Sequence, residues 1–348
     1  MKIVECNGAA YRLPGGLSDF QHEMYIHLID WKWEHLTREP GYYRGMPYDA
    51  LLPDHVKEQL LLLHPSIVNA FIAHQKNFPF KKHKFINHMA SSQAACANLF
   101  LPLLKYPVEA ARVLRSVKSD LQAIAVDWLD NGYQLEFWDK PDNALNDHNP
   151  ASGTDSDIAI AYYSETGDLN LWLIEHKLTE QEFTTCGGYR SPHRNPDKHP
   201  CDSISDILEN KRLCYYAGAS GYRYWDITLA NQNMYPIKNL LEFGTCPFQG
   251  GLNQLWRNQL LGLAIEKSVS GKWPFKKVYF SVVHHPKNHA LDESMNTYRK
   301  LIGYIDRFSS FTSDELIREA KQLGFSPWHE WLAWFEGLYY LTDGEKSL

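Results

Sequence analysis

Three residues of this sequence combine in a way that suits the hydrolysis of phosphodiesters: Asp157, Glu175 and Lys177. Glu175 and Lys177 are separated by one residue in a strand-like segment, so their side chains should share one face while His176 points to the other. The two carboxylates and the main-chain carbonyl of His176 offer the hard oxygen ligands that Mg²⁺ or Mn²⁺ prefers. Lys177 adds a positive charge that can orient water and stabilise charge developing on a phosphate.

Two hydrophobic runs must position these residues. Residues 157–163 and 169–177 are strand-like, and the short polar turn with a glycine between them predicts a β-hairpin. Asp157 and Glu175 would then meet near the open end of that hairpin. Asp155 is a rival for the same position, because it lies two residues earlier on the same face. We prefer Asp157 because it directly adjoins the apolar strand.

The alternative interpretation is a surface salt bridge. An isolated Glu-x-Lys pair in a strand is usually a solvated ion pair worth about 0–1 kcal/mol. Three features favour chemistry instead: the apolar run from Leu171 to Ile174 that leads into Glu175, the aspartate at the mouth of the same hairpin, and the order of the surrounding elements.

The surrounding pattern predicts alternating helices and strands. The first 85 or so residues are mostly of helical pattern, including Leu60 to Ile72, and a helix capped by Ser91 or Ser92 follows. Further elements are predicted at residues 107–131 (helix), 133–138 (strand), 203–216 (helix), 253–267 (helix) and 277–284 (strand), with helical sequence from residue 298 onward. The order helix, three strands, helix, strand indicates an α/β or α+β layered core. We expect a helical N-terminal region (1–88), the core (89–297) and a helical C-terminal region packed on it (298–348).

This arrangement resembles the PD-(D/E)XK nuclease superfamily, whose members have the restriction-endonuclease-like fold. The narrower likeness, to poorly characterised bacterial members, also rests on ordered segments at residues 91–100, 247–261 and 285–288. The resemblance implies a mixed sheet flanked by helices, a Mg²⁺-dependent nuclease activity and DNA as the substrate. The sequence departs from the motif in one respect, since Asp157 follows Ser156 instead of a proline.

The same resemblance implies substrate contacts on two helices. Gln254, Arg257 and Asn258 are spaced three and four residues apart and so share a helical face. The resemblance places that helix beside the site, with Gln254 or Arg257 on phosphate; an Arg257 ion pair and an exposed Gln254 are an equally weighted alternative. Gln93 either faces the metal site or caps and packs its own helix. Glu180 could pair with Lys177 or Arg257.

Charge is unevenly distributed along the chain. The formal net charge is −6, which excludes a protein that coats nucleic acid by charge alone. Yet no Asp or Glu occurs from Gln59 to Val108, where Lys81, Lys82 and Lys84 are clustered. We expect these lysines to help hold a nucleic-acid backbone, although a lysine run is more often simply solvated surface.

The hydropathy and the cysteines bear on membrane insertion, export, zinc binding and thiol catalysis. No apolar run approaches the ~20 residues that cross a bilayer, and the first residues lack the apolar core of a signal peptide, so we expect a soluble cytoplasmic protein. Cys186, Cys201 and Cys214 lie near His193 and His199, but without a Cys-x-x-Cys pair; ordinary thiols are favoured over a structural zinc site. A thiol protease using Cys186 or Cys96 has no local sequence signature.

The sequence therefore predicts a metal-dependent nuclease that hydrolyses phosphodiester bonds, with DNA as its partner and no membrane contact. The alternative from another class is a non-catalytic nucleic-acid-binding or assembly protein that retains the nuclease fold. Hydrolysis of some other phosphoester is a third possibility.

Overall fold

The structure, a computed structural model, describes residues 1–6, 8–140, 142–149, 153–190, 201–268 and 271–341. Its strands are β1 (Lys2–Cys6), β2 (Ala9–Leu13), β3 (Gly41–Tyr43), β4 (Met46–Tyr48), β5 (Leu121–Ile124), β6 (Tyr133–Phe137), β7 (Ser156–Ser164), β8 (Leu169–Lys177), β9 (Val278–His284) and β10 (Phe308–Thr312). Its α-helices are α1 (Asp19–His35), α2 (Val68–Asn77), α3 (Ser92–Leu104), α4 (Pro107–Leu114), α5 (Gly187–Arg190), α6 (Ile204–Glu209), α7 (Tyr215–Gly218), α8 (Tyr224–Ala230), α9 (Ile237–Leu241), α10 (Leu252–Glu266), α11 (Asp292–Leu301), α12 (Ser313–Leu323) and α13 (His329–Tyr339).

A six-stranded mixed sheet forms the centre of the fold. β7 and β8 are antiparallel, β8 and β9 are parallel, and β10 extends the sheet parallel to β9. β5 and β6 both pair with β7, each along a different half of it. The order α3, β6, β7, β8, α10, β9 is the predicted order of helix, three strands, helix and strand. The α/β architecture with a mixed sheet flanked by helices is thus confirmed.

The hairpin of β7 and β8 lies at the middle of this sheet. Its ladder runs from the Tyr163–Leu169 pair to the Ile158–Ile174 pair. Gly167 in the turn has φ +77°, a conformation that glycine adopts without steric cost. Side chains on both faces are buried, which explains the nearly continuous hydrophobic runs of both strands. The hairpin is confirmed with bounds that differ from the prediction by at most one residue.

Two hydrophobic layers cover the sheet. One contains Ile158, Ile160 and Ile174 with helices α1, α3, α4, α12 and α13. The other contains Ala159 and Leu173 with helices α8, α10 and α11. The N-cap of α3 is Ser91, whose hydroxyl accepts a hydrogen bond from the amide of Ala94, as the sequence predicted. In the described part of the chain, no helix is both long and apolar enough to span a bilayer.

Several predicted helices are wrong in extent. The helix predicted at residues 107–131 ends at Leu114, and β5 follows because Leu121 and Ile124 complete the sheet beside β7. The helix predicted at 203–216 is broken into α6, a 3₁₀ turn and α7. The predicted helix over residues 60–72 is confined to a 3₁₀ turn and the start of α2.

The two ends of the chain also contain more β-structure than their patterns suggest. The N-terminal region carries two small hairpins, β1–β2 and β3–β4, in addition to its helices. The C-terminal region supplies β10 to the central sheet before its helices begin. Short strands of this kind lack a strong periodic pattern, because their partners and not their own sequences make them strands.

Candidate active site

Three carboxylates lie in a row across three neighbouring strands. Leu135–Ile158 and Phe137–Ser156 are paired between β6 and β7, so Glu136 lies beside Asp157. The last pair between β7 and β8 is Ile158–Ile174, and the next position places Asp157 opposite Glu175. We call Glu136, Asp157 and Glu175 the carboxylate row. The predicted approach of Asp157 to Glu175 follows directly from this register.

Glu136 is the member of the row that the sequence did not reveal. Its φ of +47° is unusual for a residue other than glycine. This backbone conformation interrupts the alternation of side chains along β6. As a result, Leu135 packs in one hydrophobic layer and Phe137 packs in the other. Strained backbone of this type is frequent at functional sites. The alternating pattern of residues 133–138 predicted that Glu136 lies in a strand. Only the pairing of β6 with β7 shows that Asp157 is its neighbour.

Glu175 is held by three donors. Its Oε1 accepts hydrogen bonds from Gln254 Nε2 at 2.6 Å and lies 3.0 Å from Lys177 Nζ. Its Oε2 accepts a hydrogen bond from Asn258 Nδ2 at 3.0 Å. Gln254 and Asn258 are four residues apart on α10 and therefore face the same way. The predicted contact of this helix with the site is present, and Gln254 is not merely an exposed side chain.

Asp157 closes the open end of the hairpin. Its Oδ2 accepts a hydrogen bond from the main-chain amide of His176 at 2.6 Å, at the point where the ladder between β7 and β8 has ended. Burial raises the pKa of Asp157, and the negative charges of Glu175 and Glu136 raise it further. Asp155 lies just before β7 and is solvent-exposed. The position beside Glu175 thus belongs to Asp157.

The neighbouring carboxylates also shift the pKa values of Glu136 and Lys177. Burial, followed by the charge of Asp155, raises the pKa of Glu136 to about 8. Burial would lower the pKa of Lys177, but Glu175, Glu180 and Asp157 outweigh it and hold that pKa above its usual value. Lys177 is therefore a fully charged ammonium group with 9% of its side chain exposed.

Glu180 contacts the main chain beyond β8. Its Oε2 accepts hydrogen bonds from the amides of Leu178 and Thr179 at 2.8 and 3.0 Å. It affects Lys177 through its charge, and no hydrogen bond to Lys177 or Arg257 is found among the described residues.

His176 points away from the carboxylate row, as predicted from strand alternation. It is 2% exposed, and burial lowers its pKa to about 3. Its imidazole is therefore neutral and lies on the opposite face of the sheet from Lys177, whose register partner on β9 is His284. Only its main-chain carbonyl, and not its ring, can serve as the predicted ligand.

Gln93 connects the row to the lysine-rich segment. Its Nε2 donates to Glu136 Oε1 at 2.7 Å, and its Oε1 accepts from the amide of His83 at 2.8 Å. Residues 81–84 therefore lie along the rim of the site. Of the lysines there, Lys82 forms an exposed ion pair with Glu58 at 2.6 Å, whereas Lys81 and Lys84 are solvent-exposed.

Arg257 lies on the other side of the site and contacts the protein. Its guanidinium donates to Thr154 Oγ1 at 2.9 Å and to the carbonyl of Gly153 at 2.6 Å, and it lies 3.8 Å from Asp147 Oδ2. Of the two alternatives for Arg257, the ion pair with an acidic neighbour is the one observed. The guanidinium fixes the segment that enters β7 just before Asp155 and Asp157.

The donor chemistry of the carboxylate row fits a divalent cation. Within the described residues, no three His, Cys, Asp or Glu side chains are arranged around a common metal position. Both oxygens of Glu175 and one oxygen of Asp157 accept hydrogen bonds from protein donors. Burial is the main cause of the raised pKa values of Glu136 and Asp157, and neighbouring carboxylates add to it; a bound cation would favour the charged form of both groups.

The cysteines considered for zinc are free in the structure and form no disulfides. All six cysteines are free, and burial raises the pKa of Cys186, of Cys201 (to about 11) and of Cys96. Cys214 and Cys246 are buried. His193 and His199 lie outside the described residues. A structural zinc site thus stays the less favoured prediction.

A comparison of the sequence with known protein families covers all the elements that form this site. The family described as restriction endonuclease associating with ARP matches residues 27–336. The chain belongs to this family. The resemblance to the PD-(D/E)XK superfamily, with its restriction-endonuclease-like fold, is thereby confirmed. No curated protein and no solved structure matches the chain significantly. The match of the restriction-endonuclease family spans the lysine-rich segment, the carboxylate row and α10 together.

Proposed function

We propose that this protein is a divalent-metal-dependent nuclease that hydrolyses phosphodiester bonds in DNA. The observation that carries the proposal is the carboxylate row of Glu136, Asp157 and Glu175 beside the buried ammonium group of Lys177. Membership of a restriction-endonuclease family supports a nuclease-like activity. We further propose that DNA is the substrate and that Mg²⁺ or Mn²⁺ is required for cleavage.

Asp157 and Glu175 would hold the cation together with the main-chain carbonyl of His176, and Glu136 would add charge from the neighbouring strand. Mg²⁺ or Mn²⁺ bound there would supply Lewis-acid polarisation of phosphate oxygens. For the cation to reach Glu175, the hydrogen bonds from Gln254 and Asn258 must be shared or exchanged. We therefore assign these two amides to orienting the carboxylate.

Lys177 is the residue we expect to act on the reacting atoms. Its ammonium group stays charged at neutral pH, so it can donate hydrogen bonds to the attacking water and to a nonbridging phosphate oxygen. A fixed positive charge in a site with little water stabilises the charge that builds up on phosphate more strongly than it would in solution. Its position two residues beyond Glu175 keeps it on the face of the carboxylate row.

The decisive experiment is cleavage of plasmid and linear DNA by purified protein with Mg²⁺, with Mn²⁺ and with EDTA. We expect cleavage with either metal and none with EDTA. Lys177→Ala should lower the cleavage rate by about 10²–10³-fold, the usual effect of removing one group that stabilises transition-state charge. Lys276→Ala is the matched control, because that lysine forms an exposed ion pair with Asp168 at the far end of the same hairpin.

Circular dichroism and thermal melting must show that Lys177→Ala is folded. Cleavage that persists in a folded Lys177→Ala protein would eliminate the assignment. Salt-sensitive binding of DNA without cleavage by the wild type would favour the non-catalytic alternative. The family description also names an association with ARP, which we propose as the cellular partner of this chain.

A further inference from the structure

A groove of about 450 Å³ opens beside the carboxylate row and reaches Glu136. It lies between the segment that joins α2 to α3, the end of β6 and the segment before β9. Its volume is within the range of about 300–1,000 Å³ of pockets that enclose small organic molecules. Four aromatic residues and two lysines line it: Phe78, Phe80, Trp138, Trp273, Lys140 and Lys272.

The aromatic rings of the groove are half-buried and held in place. Trp138 stacks on His148 with ring centroids 3.9 Å apart and planes inclined by 12°. Phe78 stacks on the ring of His74 at 5.2 Å. The indole nitrogen of Trp273 donates to Asp139 Oδ1 at 2.7 Å. Rings fixed in this way form a rigid surface, so little conformational entropy is lost when a flat ligand stacks on them.

Positive charge follows the same groove. Lys140 and Lys272 are solvent-exposed, and Lys272 Nζ lies 4.4 Å from the ring centroid of Trp273. At the other end, Phe80 is followed directly by Lys81 and Lys82. Aromatic faces that alternate with lysines are the combination with which proteins hold single-stranded nucleic acid, since the rings stack on bases and the lysines neutralise phosphates.

From these observations we infer that the groove binds unpaired nucleobases of the strand whose phosphate reaches the carboxylate row. The inference rests on the proposed nuclease function and assigns it a substrate class, nucleic acid that is single-stranded next to the cleavage position. Bases of an intact duplex are stacked on each other and present no free face to Trp138 or Phe78. Glu136 joins the two sites, because it belongs to the row and also lines the groove.

The test measures binding without cleavage. Fluorescence anisotropy in EDTA gives the affinity of the wild-type protein for labelled oligothymidylate, for oligouridylate and for a DNA duplex of the same length. We expect the single strands to bind more tightly than the duplex. Trp138→Ala and Phe78→Ala should each weaken single-strand binding about tenfold, the usual effect of removing one base-stacking ring. Trp138→Phe should recover most of the affinity.

Tyr42→Ala is the matched control, because Tyr42 is a 62% exposed aromatic residue outside the groove. Unchanged single-strand affinity in both groove variants, tighter binding of the duplex, or no binding of single strands by the wild type would each overturn the inference. Comparison of the DNA and RNA oligonucleotides identifies which strand the groove accepts. Because EDTA prevents the proposed cleavage, a failure of the nuclease assignment leaves this binding result interpretable by itself.

Discussion

Gln93 and Glu136 are joined by a 2.7 Å hydrogen bond that links the first core helix to the carboxylate row. The Oε1 atom of Gln93 accepts a hydrogen bond from the main-chain amide of His83. A single side chain therefore fixes both the position of Glu136 and the course of the lysine-rich segment. Gln93 was expected either to face the site or to stay within its own helix, and it reaches the site through Glu136.

The raised pKa of Glu136 predicts a dependence of stability on pH. A carboxyl group whose pKa is about 8 in the folded protein and near its ordinary value of 4.5 in the unfolded chain binds its proton more tightly when folded. The free energy of unfolding of the metal-free protein should therefore fall as pH rises from about 4.5 to 8, by on the order of a few kcal/mol at most. The contribution is fully present below pH 4.5.

Urea titrations in EDTA at several pH values measure this dependence. In Glu136→Gln the slope between pH 5 and 8 should become smaller, and the variant should exceed the wild type in stability at high pH. Gln93→Ala is a useful comparison, since it removes a donor that favours the charged carboxylate. An identical slope in wild type and Glu136→Gln would contradict the assigned pKa.

The lysine-rich segment predicts a change in the salt dependence of binding. If Lys81 and Lys84 contact phosphates, each replacement by alanine should reduce the slope of log K against log salt concentration by about 1. Lys82→Ala should have a smaller effect, because its ammonium group is paired with Glu58. Binding isotherms on DNA at four salt concentrations provide the slopes, with Lys321→Ala, from a distant exposed ion pair, as control. Parallel slopes for all four variants would exclude the phosphate contacts.

Arg257 should affect the stability of the site and not the salt slope. Arg257→Ala removes hydrogen bonds to Thr154 and Gly153 and leaves buried Asp147 with less compensation. We expect a loss of about 1–3 kcal/mol in the free energy of unfolding, with slower cleavage because Asp157 is less well positioned. A stable Arg257→Ala variant with a slope reduced by about 1 would instead indicate a phosphate contact.

Metal affinity gives a direct test of Asp157. Calorimetric titration with Mn²⁺ should show binding to the wild type, and at least tenfold weaker binding to Asp157→Asn. The asparagine oxygen can still accept the hydrogen bond from His176, so the hairpin end is retained while the charge is lost. Asp168→Asn, in the turn of the same hairpin, should bind like the wild type. Equal affinities in the wild type and Asp157→Asn would mean that the metal site lies elsewhere.

The sequence by itself determined the central hairpin and the chemistry that it carries. The apolar runs of β7 and β8 and the glycine turn fix which residues face which way, so Glu175 and Lys177 share a face and Asp157 meets Glu175. These features are local, because strand alternation has a period of two and a short turn leaves few choices of register. The cap at Ser91 and the course of α10 are local in the same sense.

The tertiary structure decided what depends on partners distant in the chain. Glu136 enters the site only because β6 pairs with β7, and its backbone adopts a conformation that no alternating pattern indicates. β5 and β10 are strands because the sheet offers them an edge, although their own patterns favoured helix. For Arg257, the sequence left a phosphate contact and an ion pair equally weighted; the structure shows the ion pair and a support for the segment before Asp157, because the acidic and hydroxyl groups that bind it come from another part of the fold.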